Sequence, residues 1–145
     1  DLRVNADLEY DAIHNLDCVA GDIHSRRTLR QIQATLNGHD YSHFDLITAN
    51  PMGGLDYYSN GILGLTMRRI VQLLNPNHGL ALFTLPLQYR RVSELDKMKY
   101  WDSIAEQHSL RITIHQSTNA GSTLDTAVML EATQEPSFNS VHIFG

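Results

Sequence analysis

The run Phe44-Asp45-Leu46-Ile47-Thr48-Ala49 is cut short by Asn50-Pro51, and a glycine pair, Gly53-Gly54, follows directly. Consecutive apolar and β-branched residues predict a strand buried on both faces, the kind found in parallel sheets with helices on either side. Pro51 has no N–H to give to a ladder, so the strand ends there. In an open α/β sheet the tip of a central parallel strand is where ligands bind, because backbone and polar side chains are laid open at that point.

The remaining elements alternate around this strand. Leu16 to Asp22 reads as a short strand ending in a glycine and a carboxylate. Ser25 suits the cap of a helix in which Leu29, Ile32 and Leu36 recur on one face, and Asn37-Gly38 stops it. A second helix is predicted from about Gly61 to Leu74, then a turn at Asn75 to Gly79, then a buried strand from Leu80 closed by Pro86. A third helix falls near Ser93 to Gln107. Leu110 to His115 alternates as a strand with one wetter face. Thr126 to Leu130 returns as a strand after a loop bearing Gly121, and with no helix between them the two should pair antiparallel. Val141 to Phe144 fits an edge strand. The expected fold is therefore α/β, a mostly parallel sheet finished by a reversed hairpin.

At 145 residues the chain has room for one domain, residues 1–145. No apolar run approaches the roughly 20 residues that span a bilayer, and the first residues are unlike a signal peptide. Cys18 is the only cysteine, which excludes an internal disulfide and fits a reducing, cytoplasmic compartment. Its place in an apolar stretch predicts an inert core thiol. A formal charge of −5 argues against this segment alone gripping a phosphate backbone, so a nucleic-acid partner would be held mostly through regions outside this chain.

The element order, together with the residues at the strand tips, resembles the Rossmann-like methyltransferases that use S-adenosylmethionine, whose sheet ends with an antiparallel last strand. The nearest branch is the amino-group one, in which a strand ends in Asn-Pro-Pro-aromatic, and within it the type I and related N6-adenine DNA methyltransferases of restriction-modification. Here Ala49-Asn50-Pro51-Met52-Gly53-Gly54 stands as if the second proline and the aromatic were compressed into Met52. The resemblance implies that Asn50, Pro51 and Met52 form the catalytic motif. A side-chain amide oxygen and a proline-fixed carbonyl can both accept the hydrogens of an exocyclic amine and align its lone pair with the methyl group. In the family the aromatic stacks on a flipped-out base; here Gly53 holds that place beside Met52, and Tyr57 or Tyr58 is the substitute.

For the cofactor, the resemblance carries the adenine-amine acceptor onto Asp22, with Ile23 packing on the ring, and the ribose-binding acid onto Asp1. The other reading of either Asp is a helix-initiating residue in a solvated loop. The family's Gly-x-Gly-x-Gly turn has no counterpart in the chain. The expectation is thus a sheet lacking its first strand and that glycine-rich loop, either because the sequence is a fragment or because the domain has lost its cofactor.

Three functional readings stand. One is an S-adenosylmethionine-dependent methyltransferase acting on an exocyclic amine, with adenine N6 in DNA ahead of RNA substrates. The second keeps the cofactor and changes the acceptor to RNA guanine N2 or protein glutamine N5. The third is a catalytically silent methyltransferase-like scaffold. Ribose-2'-O methyltransferases need a Lys-Asp-Lys-Glu set, and no lysine precedes Lys97. His39, His43 and Asp45 have metal-like spacing only on a helix, and Gly38, Asp40 and Ser42 make that stretch a loop, so solvated histidines and no metal are expected. Arg90-Arg91 is a candidate phosphate contact or plain solvated surface.

Overall fold

The computed structural model describes residues 16–49, 62–84, 93–117 and 126–143. The chain divides into two compact units, Asp1–His43 and Phe44–Gly145.

In the first unit the helix α1 spans Arg26–Gly38, and Ser25 caps it by accepting from the N–H groups of Arg27 and Thr28. Capping of this kind satisfies donors that the first turn leaves without partners. Leu29 and Leu36 are buried along one face, as the periodicity predicts. The preceding stretch departs from expectation. Residues 16–20 form no strand, and Leu16 and Cys18 are exposed. The segment is instead held by α1: Asp17 Oδ2 lies 2.6 Å from His39 Nε2 at the far end of the helix. Gly21 approaches Thr28 so closely that a Cβ would stand 2.3 Å from its Oγ1. A strand needs a ladder partner, and local side-chain bonds have taken this backbone elsewhere. Cys18 is accordingly a surface thiol and not a core one.

The second unit is an α/β layer pair. Its elements are β1 (Leu46–Ala49), α2 (Ile62–Leu73), β2 (Leu80–Thr84), α3 (Glu94–His108), β3 (Leu110–Ser117), β4 (Thr126–Ala132) and β5 (Ser137–Ile143). They form an open five-stranded mixed sheet in the order β1-β2-β4-β3-β5. β1 and β2 are parallel, β3 and β5 are parallel, and β4 runs antiparallel to both β2 and β3. The reversed strand of the predicted hairpin therefore sits between β2 and β3.

Register places Ile47, Ala81, Leu130, Ile112 and Phe138 in one row, and Ala49, Phe83, Val128 and Ile114 in the next. In-register neighbours project to the same face, so these rows define one side of the sheet. α2 and α3 both cover that side, bringing Met67 and Ile70 from one and Trp101, Ile104 and Ala105 from the other into a single core that Leu74, just past α2, also joins. The opposite face is wetter. It carries Leu46 and Leu82, 55% and 41% exposed, and the cross-strand pair Arg111–Glu131 at 3.3 Å. β1 is thus not buried on both faces, and it is the outermost strand among the described residues. A short apolar run cannot by itself distinguish one covered face from two.

The turn from α2 to β2 is pinned at the amino end of β1. Asp45 Oδ1 accepts from Asn75 Nδ2 at 3.1 Å and lies 2.8 Å from His78 Nε2, while Asn75 Oδ1 accepts from the Asn77 N–H at 2.9 Å. Gly79 closes this turn in a buried position where a Cβ would meet Leu74 Cγ at 2.4 Å and the Asn75 carbonyl oxygen at 2.5 Å. Backbone cannot yield there as a flexible side chain would. Gly79→Ala is therefore expected to destabilise the fold by about 1–3 kcal/mol, read as a lower urea midpoint at unchanged slope.

α3 begins at Ser93, whose Oγ accepts from the Asp96 N–H, and ends at Ser109 in the left-handed conformation with φ 55°. His108, in its last turn, has an Nε2 that is buried without a hydrogen-bond partner among the described residues. Burial, and then the nearby Arg68 charge, hold its pKa below the ordinary 6.5. The unfolded chain consequently binds this proton more readily than the folded one. The associated stability is complete above pH 6.5 and is lost as pH falls through the lower folded value. Urea unfolding at stepped pH is expected to show wild type losing more stability than His108→Gln between pH 7.5 and 5.5.

Candidate functional site

The carboxyl ends of β1 and β2 lie at one rim, because the strands are parallel and Ala49 pairs with Phe83. In chain order this rim leads from Ala49 directly into Asn50-Pro51 and from Thr84 into Leu85-Pro86. β4 starts at the same rim in the opposite direction, so Thr84, Ala127 and His115 form a row across it. Two strand spacings separate Thr84 from His115, roughly 10 Å. The Thr84 hydroxyl oxygen is buried and has no hydrogen-bond partner among the described residues. A buried hydroxyl without a partner costs about 1–3 kcal/mol, which makes Thr84 a candidate contact at this rim. The reading from sequence passed Thr84 over. Its only signal is a hydroxyl-bearing residue closing an apolar strand just ahead of a proline.

Most of the residues expected to do chemistry, Asp1, Asn50, Pro51, Met52, Gly53, Tyr57 and Tyr58, lie outside the described residues, as do Arg90 and Arg91. Asp22 and Ile23 lie within them. Asp22 does not close a strand; it starts the turn into α1. Its Oδ1 accepts from the His24 N–H at 2.9 Å and lies 3.1 Å from His24 Nδ1, and its carbonyl accepts from the Ser25 N–H at 2.9 Å. An Asp that bonds the backbone two residues on is a turn former, the second of the two roles weighed for it. The side chain is 54% exposed and Oδ1 alone is engaged, so Oδ2 faces solvent with acceptor capacity to spare. Ile23 beside it is half-buried.

Several histidines are engaged singly, each with its own partner. His39 binds Asp17, His43 Nδ1 lies 2.9 Å from Ser42 Oγ, and His78 binds Asp45. Among the described residues no three His, Cys, Asp or Glu side chains converge on a point. The polar cluster of Asp45, Asn75 and His78 stands at the amino rim of the sheet, opposite the ends that lead into Asn50 and Leu85, and its bonds serve the turn.

Among the described residues no helix is long and apolar enough to cross a membrane. Compared with known proteins, the chain matches no family model and no curated sequence.

Proposed function

We propose that this chain is an S-adenosylmethionine-dependent methyltransferase domain of Rossmann-like fold that acts on an exocyclic amino group, with adenine N6 in DNA as the leading acceptor. The observation that carries the reading is that β1, parallel to β2, runs to the carboxyl rim with Asn50-Pro51 next in sequence. One reversed strand, β4, paired on both sides with strands running the other way, supports it further, although β5 follows it and lies parallel to β3 at the edge.

In this mechanism the chain supplies positioning. The Asn50 amide oxygen and the Pro51 carbonyl accept the two hydrogens of the amine and aim its lone pair. The cofactor contributes an electrophilic methyl group on a sulfonium. When bound, it would give up that methyl group with the C–S bonding pair left on sulfur, and the amine held by Asn50 and Pro51 would release one proton to solvent. No strong base is required, because the nitrogen becomes acidic only as it is alkylated. Asp22, with an exposed carboxylate oxygen, fits the part of acceptor for the cofactor's amino group, and Ile23 that of an apolar surface for its ring.

The scaffold reading is favoured by the lack of a Gly-x-Gly-x-Gly turn in the chain. Calorimetric titration with S-adenosylmethionine separates the two. A saturable heat is expected for the enzyme; no heat at millimolar cofactor would leave only the scaffold.

A further inference from the structure

α1 carries its charge in an arrangement that helix physics disfavours. Arg26, Arg27 and Arg30 occupy its first turns, no acidic residue stands in the first turn, and the helix holds no Asp or Glu anywhere along Arg26–Gly38. The amino end of a helix already bears partial positive charge from its free N–H groups, so cations there are repelled and anions attracted. Spacings of three and four residues bring Arg30 onto the same patch as Arg27 and Arg26. All three are exposed, and among the described residues none forms an ion pair.

Among the described residues no acid of this unit is paired with them. Asp22 Oδ1 lies 3.1 Å from His24 Nδ1, and Asp17 Oδ2 lies 2.6 Å from His39 Nε2. Asp40 lies past the far end of α1, about 20 Å along the axis. A local rule broken with no compensating acid among the described residues suits a surface kept for a partner.

We propose that this arginine patch is a contact for the phosphate backbone of a nucleic acid. Charge complementarity selects the occupant. Guanidinium forks match phosphate oxygens in pairs, and a helix amino terminus adds N–H donors and dipole of the same sign. Three cations within five residues suit a polymer that presents one negative charge per about 1.7 Å of its axis. The patch gives a chain of formal charge −5 a local means of holding a polyanion. As the phosphate contact of a DNA-modifying domain it rests on the function proposed above, although binding itself can be measured apart from it.

The test is fluorescence anisotropy of a short labelled DNA duplex against the full chain and its triple variant Arg26→Gln/Arg27→Gln/Arg30→Gln, over a series of salt concentrations. Loss of three phosphate contacts should weaken binding roughly 10- to 100-fold at low salt and make the slope of log K against log salt shallower by about 2.7. Glutamine is a good helix former and removes the repulsion with the dipole, so the variant should melt no lower than wild type. Equal affinity and slope in the two proteins would overturn the proposal, as would a wild-type chain that does not bind duplex. So would a poly-glutamate peptide binding as tightly as the duplex, which would assign the patch to acidic proteins. Arginine-dependent duplex binding without any heat from S-adenosylmethionine would sink methyl transfer and leave the patch standing; the converse pair of results would do the reverse.

Discussion

Trp101→Ala is expected to destabilise the chain by about 3–5 kcal/mol, the cost of emptying a fully buried aromatic site. Trp101 is 0% exposed and belongs to the core that α2 and α3 share with β2, β3 and β4. Its indole stacks edge-on to Tyr100, with ring centroids 5.0 Å apart and planes at 80°. No neighbouring side chain is large enough to close the void, since the residues around it already fill both layers. Domains of this size are stable by only about 5–15 kcal/mol, so the loss is a large share of the total. Urea unfolding followed by circular dichroism measures it. Leu95→Ala and Met98→Ala, on exposed positions of the same helix at 54% and 48%, serve as controls and should each fall within about 0.5 kcal/mol of wild type. A Trp101→Ala protein as stable as these controls would mean that the helix layer is not anchored where the packing puts it.

Asn50→Ala should lower methyl transfer at least 100-fold, or about 2.7 kcal/mol of transition-state stabilisation, comparable to removing one preorganised hydrogen-bonding group from an active site. The heat of S-adenosylmethionine binding should stay near the wild-type value, because the amide is assigned to the acceptor amine and not to the donor. Single-turnover assays with an adenine-bearing duplex and calorimetry on the same preparations give both readouts. Undiminished transfer would take Asn50 out of the mechanism, and a parallel loss of cofactor heat would move it from acceptor to cofactor. The Thr84 hydroxyl, at the rim where β1 and β2 end, is the next position to vary if Asn50 behaves as expected.

Where signals are local, sequence and structure agree closely. Ser25 and Ser93 mark the starts of α1 and α3, because an oxygen placed to accept from the first free N–H groups works the same way in any tertiary setting. The turn at Asn75 to Gly79 follows from residues whose side chains bond their own backbone. Leu16 to Asp22 failed for the converse reason: its apolar residues promised a strand, but strands exist only through neighbours, and here Asp17 and Gly21 are bound to α1. Asp22 followed its segment, passing from strand tip to turn former.

What the chain's own residues decided is the succession of helices, strands and turns, together with the antiparallel return of β4 on β3, since capping, periodicity and short connections act within a few residues. Tertiary packing alone decided that β4 enters between β2 and β3, that β1 ends the described sheet with Leu46 open to water, and that both α2 and α3 take the same side. These outcomes depend on which apolar rows come into register across the sheet, a long-range choice driven by burial area, and no window of neighbouring residues encodes it.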